Sequence, residues 1–285
     1  MTNDAGVNDT SCVNTQPGSL AELGPPLGLG RTADVFAWGE NEVLKLFHAD
    51  LAPEAINRER LVAGALNELP VAAPRYFGGI QLEGRTGLVF ERINGPSMLG
   101  VLARQPWRVV ALGKQLAHLH SGMHAQPAPQ LPSQRAYLER LIGRALDLPE
   151  SARAAALERL ARLPDGDRLC HGDFHPDNVV LSASGPVVLD WMTASRGVPA
   201  ADVARTMLLL RLGAPPPGAG PMSLVFIQVL RGVFAKAYWR RYVTMSGLRQ
   251  SDLAPWRLPL LTARLGESAP AAERERILAL LARDG

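Results

Sequence analysis

The chain has 285 residues, 47% of them hydrophobic and 20% charged, with a formal net charge of +3. That is room for one large domain or for two lobes with cores of their own, in an ordinary globular composition. No Lys/Arg run interleaved with aromatics marks a nucleic-acid groove, and no uninterrupted apolar stretch marks a membrane span; the two cysteines, Cys12 and Cys170, form no disulfide framework and point to a reducing cytoplasm.

The first nineteen residues are polar, with neither a basic cluster nor an apolar run, and read as a disordered tail rather than a signal peptide. The stretch "LGPPLGLGRTADVFAWGENEVLKLF" then alternates apolar and polar residues around glycines, which predicts an antiparallel meander of three strands. In "PEAINRERLVAGALNEL", proline stands near a helix start, and Ile56, Leu61, Val62, Ala65, Leu66 and Leu69 follow along one face. Two further strands, in "VAAPRYFGGIQ" and "RTGLVFERI", complete a five-stranded sheet with one helix by Ile93, and "NGPSM" is a candidate hinge. Beyond it the pattern turns helical, in "WRVVALGKQLAHLHSGM", "SQRAYLERLIGRAL" and "ARAAALERLARL". Short β-rich pieces return in "RLCHGDF", "NVVLS" and "PVVLDW"; after "GVPAADVARTMLLLRL" and the loop "GAPPPGAGP" the rest reads as helix.

The chemistry concentrates in "CHGDFHPDNVV", residues 170 to 180. One explanation is a transition metal, because His171 and His175 are four apart with Asp173 and Asp177 between and after them. Against it, Gly172 and Pro176 break the helix that would align two imidazoles, and Cys170 has no second cysteine in reach. The other explanation is a loop holding a carboxylate and an amide for magnesium and phosphate. Phosphoryl transfer needs a carboxylate near the attacking hydroxyl and oxygen ligands that fix the metal on the phosphates. Asp173, Asn178 and Asp190, the last at the end of "VVLD", supply such a set. Lys45 sits mid-strand in "VLKLF" in a chain with three lysines among thirty cationic residues, so a compact ammonium is favoured there, suited to phosphate oxygens. Glu59 is its natural anion, with Glu54 as rival, and Gly28 and Gly30, followed by Arg31 and Thr32, would let backbone amides approach phosphate.

These residues stand in the order and approximate spacing of the protein-kinase-like fold. More closely, "HGDFHPDNVV", "VVLDW" and "PAADVAR" make residues 24 to 210 resemble the aminoglycoside phosphotransferase and choline kinase branch. The resemblance implies an α+β, two-lobed architecture. A small antiparallel-sheet N-lobe over residues 20–95 would bind nucleotide, and a larger, mainly helical C-lobe over 96–285 would carry the catalytic hairpin and the acceptor site. It implies that Asp173 accepts or orients the substrate hydroxyl and that Asn178 and Asp190 hold magnesium. Lys45, paired with Glu59, would bind phosphate together with the segment of Gly28, Gly30 and Thr32. Backbone groups from Glu91 to Ile93 would meet adenine, and His171 and Asp202 would brace the catalytic loop. His118, His120 and His124 read as helix-packing or surface histidines.

Two departures qualify the likeness. Trp191 follows Asp190 where protein kinases have a Phe-Gly pair, and Asp177 stands where this branch often has glycine. Only twelve positions separate Asp190 from Asp202, too few for a long activation loop and a peptide platform. The expectation is an ATP- and Mg-dependent phosphotransferase acting on a hydroxyl of an antibiotic, amino alcohol, sugar or nucleoside, with GTP an open alternative to ATP. No nucleic acid, membrane or protein substrate is expected. The rivals are a catalytically silent nucleotide-binding module and a metallohydrolase built on His171 and His175. From Val203 onward twelve Lys/Arg face five Asp/Glu. If the C-terminal helices, with Arg205, Arg211, Arg231, Lys236, Arg240, Arg241, Arg249, Arg257 and Arg264 against only Asp252 and Glu267, wall the acceptor site, polycations are poor substrates and a neutral, singly cationic or anionic acceptor is expected.

Overall fold

The computed structural model describes residues 19–213, 220–267 and 269–284; the expected tail with Cys12 and most of the "GAPPPGAGP" loop lie outside the described residues. The chain divides into two units, one running to Ile56 and including Arg75–Arg92, the other formed by Asn57–Pro74 and Ile93–Gly285.

The first unit is the expected antiparallel sheet. Its strands are β1 (Gly28–Leu29), β2 (Ala33–Trp38), β3 (Glu42–Phe47), β4 (Tyr76–Leu82) and β5 (Arg85–Glu91), in the order β1-β2-β3-β5-β4. Side chains alternate across a strand, so Leu44 and Leu46 are fully buried while Lys45 between them is only half-buried. Leu44 and Leu46 pack with Leu23, Trp38, Leu82 and Val89 as the core of this unit. Lys45 is held centrally, opposite Val35 of β2 on one side and Leu88 of β5 on the other. The β1–β2 turn is tight: the Gly30 amide donates to the Ala33 carbonyl at 3.0 Å, and a Cβ on Gly30 would lie 2.6 Å from that oxygen.

Helix α1 (Pro53–Asn67) begins in the first unit, and its Val62 and Leu66 are buried in the core of the second. The second unit continues with α2 (Met98–Arg104), α3 (Val109–His124), α4 (Gln134–Gly143) and α5 (Glu150–Ala161). Serine side chains cap two of these, Ser97 accepting from the Gly100 amide at 3.0 Å and Ser133 from the Ala136 amide at 3.3 Å. Then come β6 (Arg168–Cys170), β7 (Val179–Ser182), β8 (Gly185–Val188) and β9 (Ser195–Gly197). They form two separate antiparallel ribbons, β6 with β9 and β7 with β8.

The strand expected through "RLCHGDF" stops at Cys170. Past it the amides of His171 and Gly172 turn to the Asp202 carboxylate, and Gly172 takes φ +79°, so the ladder cannot continue. Helices α6 (Pro199–Leu212), α7 (Pro221–Ser246), α8 (Gln250–Leu253), α9 (Arg257–Leu265) and α10 (Ala271–Asp284) complete the unit. Its main core joins α3, α6 and α7 through Leu116, Val203, Phe234 and Tyr238, with Phe174 and Trp191 from the loops. A second cluster joins α4, α5 and α9. Among the described residues, no helix is long and apolar enough to cross a membrane.

Candidate active site

Two loops of the second unit carry the carboxylates and the amide. The first, His171–Asn178, follows β6 and enters β7; the second begins at Asp190, after β8. What fixes them is Asp202, in the first turn of α6 and 1% exposed. Its Oδ2 accepts from the His171 amide at 2.6 Å, from His120 Nε2 at 3.1 Å and from His124 Nε2 at 3.2 Å; its Oδ1 accepts from the Gly172 amide at 2.9 Å. Burial pushes this carboxyl up, but the hydrogen bonds from the two imidazoles outweigh it and hold the group well below the usual carboxylate range.

His171 is fully buried and neutral, because burial lowers its pKa below the ordinary imidazole value. Its Nε2–H donates to the Leu189 carbonyl at 3.0 Å and its Nδ1 accepts the Asp173 amide at 3.2 Å, so both ring nitrogens are spent. That removes the metallohydrolase alternative built on His171 and His175. The Thr193 hydroxyl donates to the His171 carbonyl at 2.8 Å, and the Trp191 ring lies 4.7 Å from the His171 ring. A Cβ on Gly172 would come within 2.9 Å of the Thr193 carbonyl oxygen, on a backbone already in the left-handed region.

Asp173 is thereby presented half-exposed, its side chain 30% accessible, with His175 Nε2 3.6 Å from Oδ2. Burial raises the Asp173 carboxyl, but His175 and then Arg205 outweigh it and hold the group far below its ordinary value. Asn178 is pinned to the same loop: its Nδ2 donates to the Asp173 carbonyl at 2.9 Å. That bond leaves the amide oxygen as its remaining outward function. Asp190 is exposed and sits at φ 58°, ψ 61°, a left-handed conformation uncommon outside glycine and asparagine. The chain that follows is fastened by Arg58 of α1, which donates to the carbonyls of Met192 at 3.3 Å and Ala194 at 2.9 Å.

Other expected residues fall as follows. Asp177 is turned away from a metal role, because its Oδ1 accepts from the Ser97 hydroxyl at 3.0 Å, at the cap of α2. Glu59 is 5% exposed on α1 whereas Glu54 is exposed, so burial separates the two rivals. Gly28 pairs with Val35, and the Gly30 amide is already taken by Ala33, so the turn offers phosphate fewer amides than its glycines suggest. Thr32 gives its carbonyl to the His48 amide at 2.9 Å. The Glu91 amide donates to the Arg75 carbonyl at 2.8 Å, and Ile93 lies half-buried just beyond β5.

His120 and His124 are buried between helices, the packing alternative of the two expected; what the sequence reading missed is the tyrosine behind each, His120 Nδ1 lying 2.7 Å from the Tyr238 hydroxyl and His124 Nδ1 2.6 Å from that of Tyr242. The available signal was the spacing of four shared by both pairs. His120, His124 and Asp202 bring metal-ligating atoms within 4.8 Å of one another, yet those atoms already serve each other as hydrogen-bond partners. His118, by contrast, is exposed.

Arg205 was expected to face an acceptor; it is 6% exposed, donates through Nε to the Gly172 carbonyl, and pairs with Glu267 at 2.8 Å. Arg264 is bound in turn to Glu267 and Glu273. These two arginines are consumed inside the fold and are not available to an acceptor.

A phosphotransferase loop of this form has relatives. The model of the phosphotransferase enzyme family matches residues 24–249. The chain belongs to that family and is, by class, a phosphotransferase. Among solved structures it is similar to the amicoumacin kinase hAmiN in complex with AMP-PNP, Ca2+ and Ami, at 14% identity and a TM-score of 0.63 over 94% of this chain and 89% of that one. It is also similar to an aminoglycoside-3'-phosphotransferase of type VIII, at 22% identity and a TM-score of 0.56 over 84% and 91%. A third is choline kinase from Cryptosporidium parvum Iowa II, at 11% identity and a TM-score of 0.53 over 91% and 88%. No curated protein matches the chain.

Proposed function

We propose that the protein transfers the terminal phosphoryl group of ATP to a hydroxyl of a small molecule, with magnesium as the metal. The observation that carries this reading is the state of Asp173: half-exposed, held as a carboxylate, and fastened through its own backbone to both His171 and Asn178. An ionised carboxylate on a rigid loop is what aligns an attacking hydroxyl and takes its proton.

Asn178 and Asp190 are the residues that would hold the metal. The fit rests on donor chemistry, since an amide oxygen left over after Nδ2 has donated and an exposed carboxylate are hard oxygen ligands of the kind magnesium takes. Bound there, the ion would supply charge neutralisation on the phosphates. Lys45 and Glu59 serve in this reading as the cation and anion that orient the phosphates, with Gly28, Gly30 and Thr32 forming the turn over them and the Glu91–Ile93 segment meeting the base. Asp202, His171 and Arg205 position the loop and touch no reactant. The solved relatives include complexes with AMP-PNP and with streptomycin and ATP, which supports a nucleotide and a small polar acceptor as the reactant classes.

The test is a screen of hydroxylated metabolites and antibiotics with ATP, with GTP as the comparison nucleotide and mass detection of an added phosphate. A product whose formation requires magnesium is expected. Nucleotide binding without turnover on any acceptor would favour the silent-module alternative.

A further inference from the structure

The outer faces of α3 and α7 carry a feature that phosphotransfer does not use. Lys114 and His118 of α3 and Lys236, Arg240 and Arg241 of α7 line a groove of about 940 Å³. All five are exposed. No carboxylate lines the groove, and among the described residues none of its four permanent cations makes an ion pair. Two of the chain's three lysines meet in it. Elsewhere in the same unit arginines are neutralised, as Arg205 and Arg264 are by Glu267 and Glu273.

The groove is separate from the catalytic loop. His120 and His124 mark the side of α3 that faces Asp202, and Tyr238 and Tyr242 mark the matching side of α7. At about 100° per residue, Lys114 and His118 lie roughly 120° round α3 from those histidines, and Lys236 and Arg240 about 160° round α7 from those tyrosines.

We infer that this groove binds a compact polyanion, a small molecule bearing two or three adjacent phosphates. Like charges gathered without counter-charge repel one another, and an anion bridging the two helices relieves that repulsion. The cations are clustered, Lys114 and His118 one helical turn apart and Lys236 and Arg240 likewise, about 6 Å in each case. That suits a short polyphosphate better than the extended track of a nucleic acid, and no Phe, Tyr or Trp lines the groove as a platform for base stacking. Arginines bind phosphate oxygens in pairs and lysines as point charges. Val110 and Val233 add an apolar stretch of wall for the carbon part of such a ligand.

Calorimetric titration of the full chain with inorganic tripolyphosphate, in a Lys45→Ala background that weakens phosphate binding at the nucleotide site, tests this directly. Saturable binding is expected, weakened at least tenfold in Lys236→Glu/Arg240→Glu and by a smaller factor in the milder Lys114→Ala/Arg241→Ala. Circular-dichroism melts establish that each variant is folded. Equal affinity in the groove variants, loss of binding from Lys45→Ala alone, or equal competition by sulfate at matched ionic strength would overturn the assignment. So would tighter binding of duplex DNA or of vesicles rich in anionic lipid than of tripolyphosphate.

Discussion

At the scale of single residues, the proposed reaction divides the loop His171–Asn178 into groups that would face reactants and groups that hold those in place. Asp173→Asn keeps the size of the side chain and removes its charge, so turnover is expected to fall by roughly 10²- to 10⁴-fold with nucleotide affinity nearly unchanged. Steady-state kinetics beside a nucleotide titration measure the two effects separately. Asp177 is the contrasting case. Its neighbour in sequence, Asn178, is proposed to hold the metal, but its own carboxylate is given to Ser97. Asp177→Ala should therefore leave the magnesium-dependent part of ATP stabilisation in a thermal melt intact, whereas Asp190→Ala abolishes it. The sequence could show which residue types crowd this loop. It could not show that Asp177 turns toward α2, because that depends on a hydroxyl eighty positions upstream.

At the scale of elements, α3 and α7 are joined to α6 by two rungs, His120 with Tyr238 and His124 with Tyr242, both ending on Asp202. The two rungs share one sequence offset, so the helices run side by side in the same direction where the rungs cross. Burial, then the neighbouring His124, lower the His120 pKa to about 3, from an ordinary 6.5. A histidine whose folded pKa is depressed is neutral in the native state and picks up a proton more readily when unfolded. Stability is therefore expected to fall as pH drops from about 6.5 toward 3, with a slope approaching 1.4 kcal/mol per pH unit from this residue. Denaturant unfolding across that range, compared with His120→Gln, tests the assignment by the loss of slope. Tyr242→Phe deletes one hydroxyl and deprives a buried ring nitrogen of its partner, at a cost of about 1–3 kcal/mol. The meander, α1 and the helical character of the second unit were legible from periodicity, because burial of one face imposes it. The rungs were not, since hydrogen bonds between positions more than a hundred residues apart leave no local pattern.

At the scale of the whole molecule, the C-terminal helices brace the His171–Asn178 loop through Arg205. Arg205 of α6 holds the Gly172 carbonyl and Glu267; Arg264 of α9 holds Glu267 and Glu273, the latter in α10. The positive balance of this part of the chain was plain from composition, but composition cannot tell a surface arginine from one built into a buried network. Glu267→Gln removes the shared anion and leaves Arg205 buried beside a weaker partner. About 3–5 kcal/mol of destabilisation is the usual scale when one member of a buried pair is lost. Turnover should fall as well, while substrate binding changes little, because Gly172 loses its fixed carbonyl; melting curves and kcat measured on the same preparation test both parts.

The left-handed backbone at Asp190 sets stability and activity against each other at one position. A side chain in that region costs about 1–2 kcal/mol that glycine does not incur. Asp190→Gly is therefore expected to melt at a higher temperature than the natural chain while losing its turnover, so a selection for heat resistance alone would enrich an inactive protein.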